Sequence, residues 1–311
     1  MKIAFLFPGQ GAQTLGMGAD LLDCPAAREL FQRAEAVCGL PLTRLCAQGP
    51  EEELARTDIS QPAIFTVSMA MLGVMQEMLG ERAVAPAFCA GLSLGEYTAL
   101  CAAGAMSFQD GLRLVTQRGR LMQAAAQAGP PSGMVSLMGA DEAAASKVCQ
   151  AAAAAGLLVP ANFNCPGQIV LSGALAACQA AAALAAECGA SGAVPLKVAG
   201  AFHSPFMQPA AEQLAQTLAS VEIHPPAVPV LSNVTGRPHE GPDAIRAALL
   251  DQLTHPVLWQ ANCEYLLARG VDSFLEIGPG RVLAGLMRRI ERKARVTSIN
   301  SLEAIRTYAQ G

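Results

Sequence analysis

Phe88-Cys89-Ala90-Gly91-Leu92-Ser93-Leu94-Gly95-Glu96-Tyr97-Thr98-Ala99-Leu100 sets the architecture: an apolar run, a serine between two glycines, then a helix-like run. Glycine carries no Cβ, so a pair of them around Ser93 permits a sharp strand-to-helix turn that lifts the hydroxyl above a sheet. The backbone N–H groups at the start of the following helix can then face an oxyanion. G-x-S-x-G alone arises often by chance. Its place between a strand and a helix is what makes it a nucleophile elbow.

A serine needs a base to take its proton at neutral pH. The chain has four histidines: His203, His224, His239 and His255. His224 precedes Pro225-Pro226, and His239 sits among Arg237, Pro238, Glu240, Gly241 and Pro242, so both read as exposed loops. His255 precedes a proline in a turn. His203 differs, because Gly200-Ala201-Phe202-His203-Ser204-Pro205 follows an apolar strand candidate and leads into a helix. Strand ends are where α/β folds place catalytic groups, so His203 is the expected base.

Near the amino terminus the apolar run Ile3 to Phe7 enters Pro8-Gly9-Gln10-Gly11, and a helix pattern begins near Leu15. G-x-G-x-x-G fails because position 14 is Thr, and Gly278-Pro279-Gly280 fails as well, so neither loop reads as a dinucleotide site. A glycine-rich backbone can still approach a ligand closely. In elbow enzymes one oxyanion N–H comes from the residue after the nucleophile, here Leu94, and the other from a separate loop, for which Gln10 is the candidate.

The 311 residues are 52% hydrophobic and 15% charged with a net charge of −4, enough for a large core and against a nucleic-acid partner. Ten cysteines without C-x-x-C pairs read as free thiols in a reducing compartment, with no metal cluster, and the expected localisation is cytoplasmic. The apolar run ending at Pro8 is too short for a signal peptide. No charge occurs between Lys147 and Glu187, but Pro160, Asn162, Asn164 and Pro166 interrupt that stretch and argue against a membrane span.

That stretch resolves instead as a βαββαβ unit. Gly133 to Gly139 reads as a strand, Asp141 to Ala155 as a helix, and Leu158 to Asn164 with Ile169 to Ser172 as a hairpin. Leu175 to Cys188 reads as a second helix and Ala193 to Val198 as a last strand. Elsewhere strands are expected at Ile3 to Phe7, Ala85 to Ala90, Pro229 to Ser232 and Ser273 to Ile277, with helices including Leu112 to Ala128 and Asp243 to Leu253. The expectation is an α/β fold: a hydrolase-like, mostly parallel sheet with helices on both faces, formed by 1–128 and 197–311. A ferredoxin-like subdomain, 129–196, is inserted into it.

Phe7-Pro8-Gly9-Gln10-Gly11, Gly91-Leu92-Ser93-Leu94-Gly95-Glu96-Tyr97, Gln117-Arg118-Gly119, Gly200-Ala201-Phe202-His203-Ser204-Pro205 and Glu276-Ile277-Gly278-Pro279-Gly280 together resemble the malonyl-CoA:acyl carrier protein transacylases of fatty acid synthesis, in that family's order. The resemblance implies a Ser93–His203 dyad without a third carboxylate and oxyanion donors on Gln10 and Leu94. It implies Arg118 as a clamp for the malonyl carboxylate, Phe202 as a wall against branched acyl groups, backbone near Gln252 orienting His203, and Asn162 shaping the site. It also implies malonyl-CoA and a phosphopantetheinylated acyl carrier protein as partners, no cofactor, and a monomer. From its own surroundings Arg118, near Arg113 and Arg120, reads as one arginine of a solvated helix; the resemblance reverses that reading. The run Arg288 to Arg295 is a candidate docking patch for an acidic carrier, or simply a solvated helix end. Leu92 departs from the family, which usually has histidine there. A polyketide or malonate decarboxylase transacylase, an acyl-carrier editing hydrolase and a non-catalytic scaffold are the competing readings.

Overall fold

The computed structural model describes residues 2–310. Strands β1 (Ile3–Phe7), β2 (Phe88–Gly91), β7 (Ser273–Ile277) and β8 (Arg295–Ile299) form one sheet in the order β2-β1-β7-β8, all parallel. Side chains alternate along β1 as a strand requires. Ile3, Phe5 and Phe7 enter one core cluster, while Ala4 and Leu6 enter another with Trp259, Leu283 and Leu286. Both faces are therefore covered, which is the condition for a parallel sheet.

Strands β3 (Ser132–Ala140), β4 (Leu158–Cys165), β5 (Gly167–Ala174) and β6 (Gly192–Pro195) form a separate antiparallel sheet in the order β4-β5-β3-β6. With helices Glu142–Ala152 and Leu175–Leu184 in between, this is the ferredoxin-like order expected from the sequence. Asp141 caps the first of these helices by accepting from the Ala144 N–H at 2.8 Å. The unit has a core of its own, with Val135, Leu137, Val148, Leu171 and Ala181 at its centre.

Several boundaries differ from the sequence expectation, and proline accounts for three of them. β2 starts at Phe88 and not Ala85, after Pro86, and β6 stops at Pro195. Pro229 to Ser232 is not a strand but a pair of isolated bridges, Cys89 to Val230 and Leu231 to Pro238. Each proline lacks the N–H a ladder needs. Strand β8 was not expected; it begins at Arg295, the last residue of the basic run whose charges read as a helix end. The helix Thr57–Leu79 was not anticipated either. The segment Thr57–Arg82 is apolar and long enough to cross a membrane, but 67% of its apolar window is buried inside the protein, where it forms the central core helix.

Because β1, β2 and β7 run parallel, their carboxyl ends share one edge, and the loops after Phe7, Gly91 and Ile277 meet there. Backbone packs on backbone at that edge. A Cβ on Gly95 would lie 2.1 Å from the Phe7 carbonyl oxygen, one on Gly9 2.3 Å from the Leu92 carbonyl oxygen, and one on Gly91 1.9 Å from the Gly95 carbonyl carbon.

Candidate active site

Ser93 stands between β2 and helix Leu94–Ala102 with φ 52° and ψ −103°, a backbone region L-residues avoid. Such a conformation costs about 1–3 kcal/mol and persists only where its surroundings enforce it. The enforcing groups are side chains remote in sequence. The Ser93 N–H donates to Asn233 Oδ1 at 2.6 Å, Asn233 Nδ2 donates to the Gly91 carbonyl at 2.7 Å, and Gln252 Nε2 donates to the Ser93 carbonyl at 3.1 Å.

His203 also has positive φ, 55°, on a loop tied to the antiparallel subdomain. Ser172 Oγ donates to the Phe202 carbonyl at 2.6 Å, and the Ala201 N–H donates to Ser132 Oγ at 3.3 Å. The Ser93 Oγ–His203 Nε2 distance is 2.8 Å, and His203 Nδ1 lies 2.6 Å from the Gln252 carbonyl. A carbonyl only accepts, so Nδ1 carries the proton and Nε2 is left to accept from the Ser93 hydroxyl. Burial, and then the positive charge of Arg118, push the His203 imidazolium down to a pKa of about 4. At neutral pH the ring is therefore uncharged, the state a base needs.

Arg118 corrects the solvated-helix reading. It is 1% exposed, while Arg113 and Arg120 on the same helix, Phe108–Ala128, are exposed. Nη1 donates to Gln61 Oε1 at 2.8 Å, and Nη2 donates to Gln252 Oε1 at 2.9 Å and to Ser93 Oγ at 3.0 Å. The guanidinium also lies 5.3 Å from the centre of the Tyr97 ring. Its Nε is buried without a partner, and no carboxylate among the described residues is ion-paired with it. Burial lowers its pKa from the ordinary arginine value. A buried cation short of an anion is a site for an anionic ligand.

A cavity of about 440 Å³ opens over these groups, lined by Gln10, Leu92, Ser93, Arg118, Asn162, Phe202 and His203 among others. Gln252 and the side chain of Leu94 lie behind its wall, both 0% exposed. Gln10 Nε2 donates to Thr57 Oγ1 at 3.2 Å. Asn162 is 9% exposed on β4, where Val257 bridges to it from the larger unit. Asn164, two residues on, also lines the cavity and has a buried Oδ1 without a partner. Its period-two relation to Asn162 was the available signal. The structure thus brings together the residues singled out from sequence and adds Gln61, Asn233, Asn164 and Glu96.

The family model described as acyl transferase domain matches residues 4–307. The chain belongs to the acyl transferase family. This acyl transferase is 43% identical over 305 residues to the malonyl CoA-acyl carrier protein transacylase of Escherichia coli K12, covering 98% of this chain and 97% of that one. It is similar in structure to the malonyl CoA-acyl carrier protein transacylase of Coxiella burnetii, with TM-score 0.95, 38% identity, and 100% and 97% of the two chains covered. A malonyl-transacylase in complex with its holo type II polyketide synthase acyl-carrier protein matches with TM-score 0.93 and 39% identity, covering 100% of this chain and 99% of that one.

One further sequence expectation comes out differently in this acyl transferase. His239 is not on an exposed loop: its side chain is 1% exposed and its Nε2 lies 2.8 Å from Glu96 Oε1. His224 and His255 are exposed as read. Of the basic run, Arg288 and Arg289 end helix Val282–Ile290, whose Val282 and Leu286 line the cavity, and Arg289 Nη2 donates to the Pro166 carbonyl at 3.2 Å.

Proposed function

We propose that the protein transfers a malonyl group from malonyl-CoA, through an ester on Ser93, to the phosphopantetheine thiol of an acyl carrier protein, supplying units for fatty acid synthesis. The observation that carries this reading is Arg118, a buried guanidinium without a carboxylate partner, 3.0 Å from the Ser93 hydroxyl. Full-length similarity to transacylases, one of them solved on its carrier protein, supports the same acceptor class.

In this mechanism the malonyl carboxylate pairs with Arg118 and brings its thioester carbonyl over Ser93. His203 Nε2 takes the Ser93 proton as Oγ attacks the carbonyl carbon. The N–H groups of Gln10 and Leu94 hold the oxyanion. The C–S bond then breaks, and the coenzyme A sulfur leaves with the proton from His203. In the return half, the carrier's thiol gives its proton to His203 and attacks the Ser93 ester, and the proton returns to Oγ. The Gln252 carbonyl stabilises the imidazolium that forms twice per turnover. Phe202 and Asn162 bound the acyl space, which favours an unbranched malonyl unit.

All the groups invoked lie in one chain, so the proposed site needs no second copy, and we take the enzyme to be a monomer. The free cysteines, most of them buried, fit a reducing cytoplasm and a protein that works without a membrane. We also propose that 129–196 is an inserted unit within 1–128 and 197–311, on the strength of its separate sheet and core.

Intact-protein mass spectrometry tests the reading. Malonyl-CoA should produce an adduct on Ser93 that moves to holo carrier protein faster than it is lost to water. An adduct released only by hydrolysis would instead identify a hydrolase. The acid limb of kcat/KM should lie near pH 4, because a base with a depressed pKa stays unprotonated until the pH falls that far. Since Arg118 contributes to that depression, Arg118→Ala should move the limb to higher pH. A wild-type limb at the ordinary histidine value of 6.5 would contradict the assignment.

A further inference from the structure

Behind the dyad lies a buried acid that the mechanism above does not use. Glu96 is 0% exposed and is the one charged residue in helix Leu94–Ala102. All its side-chain contacts are with donors. Oε1 meets His239 Nε2 at 2.8 Å, and Oε2 accepts from Gln252 Nε2 at 2.5 Å and from the Asn233 N–H at 3.2 Å. Two of these partners, Asn233 and Gln252, are the residues that hold the peptide groups of Ser93.

Gln252 is the junction. Its Nε2 faces three acceptors, the Glu96 carboxylate, the Ser93 carbonyl and, at 3.5 Å, Asn233 Oδ1, while its Oε1 faces the Arg118 guanidinium. Turning the amide over would set NH2 against a cation and oxygen against a carboxylate and a carbonyl. Arg118 and the Ser93 carbonyl favour the observed orientation, and the negative charge of Glu96 adds to that preference from the Nε2 side. The pair Glu96–His239 and the cation Arg118 are thereby joined through one amide, with Glu96 acting on the guanidinium from one residue away.

We propose that Glu96, braced by His239, is a positioning residue of this transferase. It locks the Gln252 amide so that Oε1 orients Arg118 toward the acyl carboxylate while Nε2 and Asn233 hold Ser93 in its positive-φ turn. This rests on Arg118 being the malonyl-binding group. A role confined to folding would lower stability and slow every acyl donor alike. A role through Gln252 and Arg118 changes the balance between donors that carry a carboxylate and donors that do not.

The experiment compares Ser93 loading from malonyl-CoA and acetyl-CoA, by intact mass at short times, in wild type, Glu96→Gln, His239→Asn and Arg118→Ala. Glu96→Gln keeps the shape but removes the charge and so weakens the hold on the Gln252 amide. It should lower the malonyl-to-acetyl loading ratio by about tenfold, the range typical of coupled residues in one network. His239→Asn, one step further out, should lower it by roughly threefold. A folded Glu96→Gln with both rates reduced in equal proportion would overturn the proposal. If that variant does not fold, an unchanged ratio in His239→Asn would overturn it equally. Arg118→Ala reports separately on the underlying reading. If that substitution leaves the ratio unchanged, the malonyl assignment of Arg118 has failed, not the role of Glu96 alone.

Discussion

Replacing His203 with alanine should slow the appearance of malonyl-Ser93 by about 10⁴-fold, the scale on which removal of a nucleophile's base is felt. The Ser93 hydroxyl would keep its place, because Asn233 and Gln252 hold the flanking peptide groups independently of the imidazole. It would lose the atom that receives its proton. Arg118 Nη2, 3.0 Å from Oγ, is a donor and cannot substitute. Rapid-quench intact mass spectrometry with malonyl-CoA measures this step apart from transfer. A His203→Ala enzyme that loads at the wild-type rate would remove histidine from the mechanism. One that loads slowly yet passes the malonyl group to the carrier at full speed would confine its role to the first half-reaction.

Arg118→Ala should reverse the choice of acyl donor. Breaking a buried charge pair typically costs about 3–5 kcal/mol, so malonyl loading should fall by roughly 10²- to 4 × 10³-fold. Acetyl loading should rise, because in the native site an acetyl group leaves the guanidinium without an anion. Competition between equal concentrations of the two thioesters, read as the adduct mass on Ser93, gives the ratio directly. Arg118→Lys should recover only part of it, since an ammonium offers a point charge in place of a planar pair of donors. A ratio that survives Arg118→Ala would place carboxylate recognition elsewhere in the cavity.

What could be read from the sequence divides along a physical line. Ser93, Gln10 and the 200–205 loop bearing His203 are local signals, each written in a few adjacent residues, although the strand expected to run up to that loop stops at Pro195 and His203 sits on the loop beyond it. The ferredoxin-like order was legible because strand and helix lengths alternate there without interruption. Arg118 was not legible from its own surroundings, because an arginine among arginines on a helix looks solvated until the cover over that helix is known. Asn233 and Gln61 carried no signal at all. Their partners lie 140 residues away for Asn233 with Ser93, and 57 away for Gln61 with Arg118. His239 misled because its neighbours are polar and proline-rich, while its own ring turns inward to Glu96. Glu96 did carry a signal, a single charge in an otherwise uncharged helix, which calls for a buried partner.

The contacts among Gly9, Gly91 and Gly95 have a consequence for how such a protein can diverge. The turns bearing the proposed oxyanion donors rest on each other through main chain, with no side chain between them to be exchanged. Substitution at Leu92, Arg118 or Phe202 can therefore change what the cavity accepts without shifting where a carbonyl oxygen must lie. A lineage can trade one acyl group for another while inheriting the reaction unchanged, and Leu92 in this chain is a sample of that latitude.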